Sequence, residues 1–307
     1  MNNDEAVAAF VTWMRERRNA PVETWSKYQR VCGSWAAHLP TPLAERDVLD
    51  VEEWLDRPRR GGVSPKAATV ANDLAVIGSM YRWGITRLGW PRNPAALAGK
   101  PTVHNRQPRP VDDDDWLRVW SNPRLEDDAR VVLGLGYFCG LRRAEMTSLH
   151  ASQVWGGALV NFTRKGDCED RFDYRDLLDH WDWHAPHLLV DPDLLDLPLR
   201  RLARRGDQAL LPWGPWLSPR AVNKRLARWL DECGLASDAF TPHSLRHSFA
   251  TNLLRSGVPL DVACDLCNHS SPTITMRYVR TGGGRLASMR DGERPAPLRL
   301  LHRAEAE

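Results

Sequence analysis

The residues best suited to chemistry in this 307-residue chain stand close together at 241–251, Thr-Pro-His-Ser-Leu-Arg-His-Ser-Phe-Ala-Thr. Leu245, Phe249, Ala250, Leu253 and Leu254 form the apolar stripe of a helix that Gly257 closes. His243 and Arg246, three residues apart, share a different face near the helix start. Two such groups at the positive end of a helix repel each other unless an anion sits between them, and a phosphate suits that place. A second candidate is Gly140-Leu-Arg142-Arg-Ala-Glu145. Here an apolar helix ends at a glycine able to adopt the left-handed closure, and Arg142 opens the next helix beside its free N–H groups. An arginine so placed can hold a phosphate with two parallel hydrogen bonds. By itself the string equally describes a surface arginine with a carboxylate one turn away. The third candidate is Lys165, at the tip of an expected hairpin and followed by Gly166. Lysine is used only at 27, 66, 100, 165 and 224, against 42 basic residues in all. An ammonium can surrender a proton where a guanidinium cannot, although turn lysines are common.

Tyr278 follows a helix start at Ser271-Pro272 by about two turns. In isolation it reads as a core tyrosine with its hydroxyl at the rim. Cys264 and Cys267 make a CxxC, but no second pair lies at zinc-site spacing and both fall in the apolar pattern of Val262, Ala263 and Leu266. They read as buried thiols, not metal ligands. The net charge of +3 says little about nucleic acid. Its distribution says more, because Arg200, Arg201, Arg204, Arg205, Arg220, Lys224, Arg225 and Arg228 are opposed locally only by Asp196 and Asp207. That stretch either tracks a phosphate backbone or forms two solvated helix faces.

The elements that would position these groups divide into two halves. With 42% hydrophobic and 26% charged residues the composition is that of a folded protein with room for two cores. The longest apolar run, Val131 to Leu141, is too short to span a bilayer, and residues 1–5 lack the character of a signal peptide. A cytoplasmic location is therefore expected. Residues 1–97 carry helical periodicity at 5–17 (Phe10, Trp13, Met14), 24–38 (Tyr28, Val31, Trp35) and 67–83 (Leu74, Ile77, Met80, Tyr81). Residues 98–110 contain three prolines and read as a stiffened linker. Residues 111–282 are predicted to be mixed. Helices are expected near 112–120, 126–139, 143–149, 192–205, 219–233, 244–256, 259–267 and 272–280, with strands at 158–163 and 171–174. Residues 283–307 form a tail after the Gly282–Gly284 hinge, in which Leu298, Leu300 and Leu301 are either a docking plug or a frayed end.

Taken together, His243-x-x-Arg246, the Leu266-x-x-His269 turn and Tyr278 nine residues beyond His269 resemble the C-terminal box of the tyrosine recombinase (phage integrase) family. Arg142 with Glu145 resembles its first box, and Lys165 its hairpin lysine. Thr24, Tyr28, the 67–83 helix and Asn93-Pro94 resemble more loosely its helical core-binding domain. The resemblance implies a mainly α protein with a small β-sheet. It would be a two-domain C-shaped DNA clamp with a SAM-like helical domain ahead of an α+β catalytic domain. It also implies a cofactor-free, metal-free transesterification. Tyr278 would attack the scissile phosphate, Arg142 and Arg246 would clamp it, and His269 would donate a further hydrogen bond. Lys165 would protonate the leaving 5′-oxygen and His243 would accept the tyrosine proton. Glu145 would orient Arg142, and His247 would be structural. Arg220, Lys224, Arg225 and Arg228 would contact DNA. The implied partners are double-stranded recombination sites, a homotetrameric synapse and, in some systems, a directionality factor. A type IB topoisomerase-like enzyme and a non-catalytic DNA-binding protein on the same fold remain alternatives. One departure from the family is Asn268, where glycine is usual; asparagine is the next residue best suited to left-handed backbone, so the turn is expected to survive. The stretch 175–213 fits the family poorly and yields no functional reading.

Overall fold

A computed structural model of the chain describes residues 1–58, 62–103, 108–164, 168–206, 208–211 and 219–279. The chain divides into two compact units, Met1–Arg106 and Gln107–Glu307. No helix among the described residues is long and apolar enough to cross a membrane.

The first unit contains α1 (Asn3–Arg17), α2 (Val22–Ala36), α3 (Val48–Asp56) and α4 (Ala67–Leu88). Asn2 and Asp47 open α1 and α3 with reciprocal capping boxes, and Gly89 in left-handed geometry closes α4. The core is aromatic, with Phe10, Trp35, Trp54 and Tyr81 fully buried. Nine-residue α3 is absent from the sequence expectation, because a helix of two and a half turns offers too few periodic positions to stand out. Arg46 is wholly buried and donates to the carbonyls of Trp35, Ala36, Leu39 and Thr41, sealing the end of α2.

The second unit begins with α5 (Asp113–Trp120), α6 (Asp127–Tyr137) and α7 (Arg143–Ser148). A three-stranded antiparallel sheet follows, in the order β1 (Val154–Trp155), β2 (Ala158–Arg164), β3 (Cys168–Phe172). Next come α8 (Tyr174–His184), α9 (Pro186–Leu189), α10 (Asp193–Ala203), α11 (Pro219–Glu232), α12 (Pro242–Arg255), α13 (Leu260–Leu266) and α14 (Pro272–Val279). One sequence expectation needs correction. The return strand runs over 168–172 and not 171–174, since Tyr174 already begins α8. The helix expected at 192–205 is present as α10, and the stretch before it, for which no element was expected, is also helical and helps to build the core. Trp116 and Trp120 donate from their indole nitrogens to the carbonyls of Leu188 and Leu189, and Trp181 donates to that of Phe138. Asp196, buried on α10, accepts from the Tyr174 hydroxyl and pairs with Arg175 and Arg200.

Helix α6 is the spine of this unit. Its glycines admit neighbours at close range: Leu195 of α10 lies against Gly134, and Leu245 of α12 against Gly136. At the exit of α6, Gly140 has φ +64°, and the Phe249 ring occupies the space a side chain would need. This one residue therefore sets both the reversal into Arg142 and the seat of α12. Gly140→Ala is expected to lower the stability of the second unit by about 3 kcal/mol, from left-handed strain plus overpacking against Phe249. Urea denaturation followed by tryptophan fluorescence checks this.

Candidate active site

The site is built around the C-terminal end of α13. The last carbonyls of a helix lack partners within it and must find them elsewhere. Here Asn268 adopts φ +44°, and its N–H bonds to the Asp265 carbonyl while that of His269 bonds to the Cys264 carbonyl. These are the two bonds of a Schellman closure, so asparagine performs the turn that glycine usually makes. The next three carbonyls are taken by three arginines from three separate elements. Arg164, at the end of β2, donates to the Leu266 carbonyl at 2.9 Å. Arg246 of α12 donates to the Cys267 carbonyl and also to Gly140, and Arg142 donates to the Asn268 carbonyl at 2.6 Å.

Arg142 is further held by Glu145. The Arg142 guanidinium meets one carboxylate oxygen at 2.8 Å, and its backbone N–H meets the other at 2.7 Å. Burial alone would raise the Glu145 pKa, but these bonds and the charges of Arg142 and Arg164 hold it below the usual carboxylate range. Arg246 is buried on the inner face of α12, where desolvation and then the charge of Arg142 lower its pKa to about 10, leaving it cationic at neutral pH. Three guanidiniums thus converge on one helix end, with the Glu145 carboxylate against Arg142. Positive charge clustered in this way suits an anion.

Helix α12 starts at a Thr241–Ser244 capping box with Pro242 in its first turn, two residues ahead of the expected 244. His243 and His247, one turn apart, have ring centroids separated by 4.2 Å. Tyr278 on α14 is 3% exposed, and its hydroxyl lies 2.7 Å from Nδ1 of His247. Burial, reinforced by Cys267 and partly offset by Arg246, pushes its pKa up to about 12. The His269 ring stacks parallel to the Tyr278 ring at 6.0 Å, and its Nδ1 lies 2.8 Å from the hydroxyl of fully buried Thr275. Desolvation and then nearby cationic or imidazole groups lower both His247 and His269 to about 4. His243 is exposed at the edge of the cluster, yet its pKa is also lowered, by partial desolvation and then by Arg246 and Arg142.

The structure thus gathers Arg142, Glu145, His243, Arg246, His247, His269 and Tyr278. Lys165 lies outside the described residues, between the paired ends Arg164 and Cys168 of β2 and β3. The tail at 283–307 and the Arg220 side chain are also outside them. Lys224 is exposed. Arg225 pairs with Asp128 at 3.7 Å and Arg228 with Glu232 at 3.4 Å, while Arg200 and Arg201 pair with Asp196 and Asp127. The basic stretch is therefore less unopposed than its sequence suggests, since Asp127 and Asp128 arrive from α6. Sequence reasoning missed Arg164 and Thr275. Neither carried a signal, because each matters only through a partner brought near by folding: for Arg164, a carbonyl 102 residues distant in sequence.

A buried tyrosine hydroxyl on an imidazole, beside clustered guanidiniums, is an arrangement that can hold an anion next to a hydroxyl. The Phage integrase family is matched at residues 213–282. Tyrosine recombinase XerC of Escherichia coli O127:H6 is 30% identical over 269 residues, covering 82% of each chain. XerC of Rhodospirillum centenum is 28% identical over 97% of this chain and 89% of its own. In fold, the chain is similar to a lambda integrase (75–356) dimer bound to a COC′ core site (TM-score 0.64, 17% identity, 93% of this chain and 97% of that one). It is likewise similar to the Tn1549 transposon integrase in complex with a circular intermediate DNA (TM-score 0.62, 15% identity, 91% and 94%). The chain belongs to the tyrosine recombinase family.

Two outcomes follow from this geometry. Arg164→Met keeps the bulk of the side chain and removes its donors. It should lower stability by about 1–3 kcal/mol through the bare Leu266 carbonyl, read by urea denaturation. His247 and His269 bind protons more weakly folded, near 4, than unfolded, near 6.5. Lowering the pH from about 6.5 towards about 4 therefore protonates the unfolded chain first, so stability should fall across that window and cease falling on their account below it. The double variant His247→Gln, His269→Gln should show a flatter dependence between pH 7 and pH 4.5.

Proposed function

We propose that this protein is a site-specific DNA recombinase that cuts and rejoins strands through a 3′-phosphotyrosine at Tyr278. The observation that carries the reading is the convergence of Arg142 and Arg246 on the turn that presents His269, with Tyr278 seated against the same turn. In this reading the scissile phosphate lies on the two guanidiniums. Their donors are already fixed, so developing charge is stabilised with little reorganisation. His269, its Nδ1 engaged by Thr275, presents Nε2 to a phosphate oxygen. Glu145 holds the Arg142 fork in place. Lys165 protonates the departing 5′-oxygen, and the histidine pair His243/His247 handles the tyrosine proton. The bond energy is retained in the phosphotyrosine, and a 5′-hydroxyl from another strand can reclaim it.

The partner is double-stranded DNA. The unit at 1–97 acts as a core-binding domain, 98–110 as its linker and 111–282 as the catalytic domain. Arg220, Lys224, Arg225 and Arg228 contribute phosphate contacts. The ion pairs of Arg225 and Arg228 are no obstacle, since exposed pairs are weak and phosphates compete for them. A homotetrameric synapse, tail exchange through 283–307, a directionality factor and a cytoplasmic setting belong to the same proposal. The relatives named above are recombinases and integrases, which favours this reading over a topoisomerase or a non-catalytic binder.

Incubation with DNA recovered by binding selection, nicked near the point of cleavage, should trap a covalent protein–DNA species on denaturing gels. Tyr278→Phe should yield none, and an adduct in that variant would remove Tyr278 as nucleophile. Arg246→Lys keeps the charge but loses the planar fork. Its rate of adduct formation should fall by about 100-fold or more, with binding in gel-shift assays changed far less.

A further inference from the structure

Resting on Tyr278 as the nucleophile, we infer that His247, and not His243, is the immediate acceptor of the tyrosine proton. The family resemblance gives that duty to the histidine three residues before the arginine, which here is His243. The geometry gives it to the histidine that follows the arginine. Nδ1 of His247 lies 2.7 Å from the Tyr278 hydroxyl, and the two rings have centroids 5.4 Å apart. In the inferred arrangement the Tyr278 hydroxyl donates to a neutral His247 imidazole whose proton sits on Nε2. His247 is only partly exposed, four residues after His243 on the same side of α12, and the His243 ring lies beyond it at 4.2 Å. His243 is the exposed member of the pair and is coupled to Arg246 and Arg142, the phosphate clamps.

The step balances as follows. The Oη–H bond of Tyr278 breaks and its proton passes to Nδ1 of His247, giving an imidazolium. Oη forms a bond to phosphorus, the bond from phosphorus to the 5′-oxygen breaks, and that oxygen takes a proton from the acid assigned to Lys165. Rejoining reverses each transfer, so His247 returns the proton to the departing tyrosine oxygen. With the donor near 12 and the acceptor near 4 in the empty site, full transfer before attack is unfavourable. The proton must move as the bond to phosphorus forms, which is general-base catalysis and not a prior ionisation. A bound phosphodiester also brings a negative charge beside Arg246, whose positive charge helps to depress the basicity of His247.

The test uses the full-length protein and a nicked duplex in two forms, one with an ordinary phosphodiester and one with sulfur in place of the bridging 5′-oxygen. Sulfur departs without protonation, so that substrate bypasses the acid and leaves the base in demand. His247→Ala and His247→Gln should each slow adduct formation by about 100-fold on both substrates while DNA binding holds. Lys165→Ala should recover on the sulfur substrate, and added imidazole should partly restore His247→Ala but not His247→Gln. Glutamine can accept the hydroxyl hydrogen bond but not its proton, so a His247→Gln enzyme at wild-type rate would reduce His247 to a positioning residue and overturn the inference. Faster cleavage by His247→Ala would overturn it too, by making the bond a latch, as would recovery of that variant on the sulfur substrate. Those results leave the nucleophile intact. Absence of any wild-type adduct would instead remove the reading of Tyr278 on which the inference stands.

Discussion

Helix α13 is seven residues long, and its carbonyl end is the point on which the second unit is organised. A helix C-terminus carries partial negative charge and unpaired acceptors, and both are unfavourable inside a protein unless donors are supplied. Arg164, Arg246 and Arg142 supply them at the carbonyls of Leu266, Cys267 and Asn268 in turn. Because the acceptors are neutral peptide groups, the guanidiniums satisfy their geometry without losing their charge. Carboxylates in those places would bind the arginines as well and abolish the attraction for a phosphate. Backbone dipoles thus fix the positions of the arginines and gather their positive charge at one helix end.

The first unit offers an instructive contrast. Arg46 seals the end of α2 through four carbonyls and lies over the Trp35 ring at 4.4 Å. It is a single charge, wholly buried, with its hydrogen-bonding capacity spent on backbone. Nothing about an arginine at a helix end is functional by itself. What separates the two cases is the local density of charge, with partial exposure of Arg142 at its outer edge.

Rigidity at this point is built from behind. The tryptophans of α5 and α8 bury large apolar surfaces while donating to carbonyls, and Trp116 stacks on Tyr137 at 3.7 Å. They immobilise α6, whose glycines let α10 and α12 approach closely. Arg246 and Arg142 therefore stand on elements that share one packed spine. The Val111 N–H bonded to Ser248 of α12 at 2.8 Å ties the start of the unit to the same helix.

How much of this was legible beforehand depends on the range of the interactions. Local rules suffice for the start of α12 at Thr241-Pro242, its closure at Gly257, the left-handed turn at Asn268 and the first turn after Gly140. Each depends on residues within a few positions of one another, so residue type and spacing determine them. Arg142, Arg246, His269 and Tyr278 were readable as a set only because their order along the chain resembles that of a known family; in isolation Tyr278 reads as a core tyrosine. Short α3 and the helices α8 and α9 were not, because their apolar positions answer to partners on other helices, whereas α10 was expected at 192–205. Nor could spacing reveal Arg164 as the third donor, or Thr275 as the partner of His269. The assignment of the tyrosine proton is the sharpest case. His243 and His247 are indistinguishable by type and lie one turn apart on one helix. Only the docking of α14 against α12 decides which of them meets the hydroxyl of Tyr278, and it selects His247.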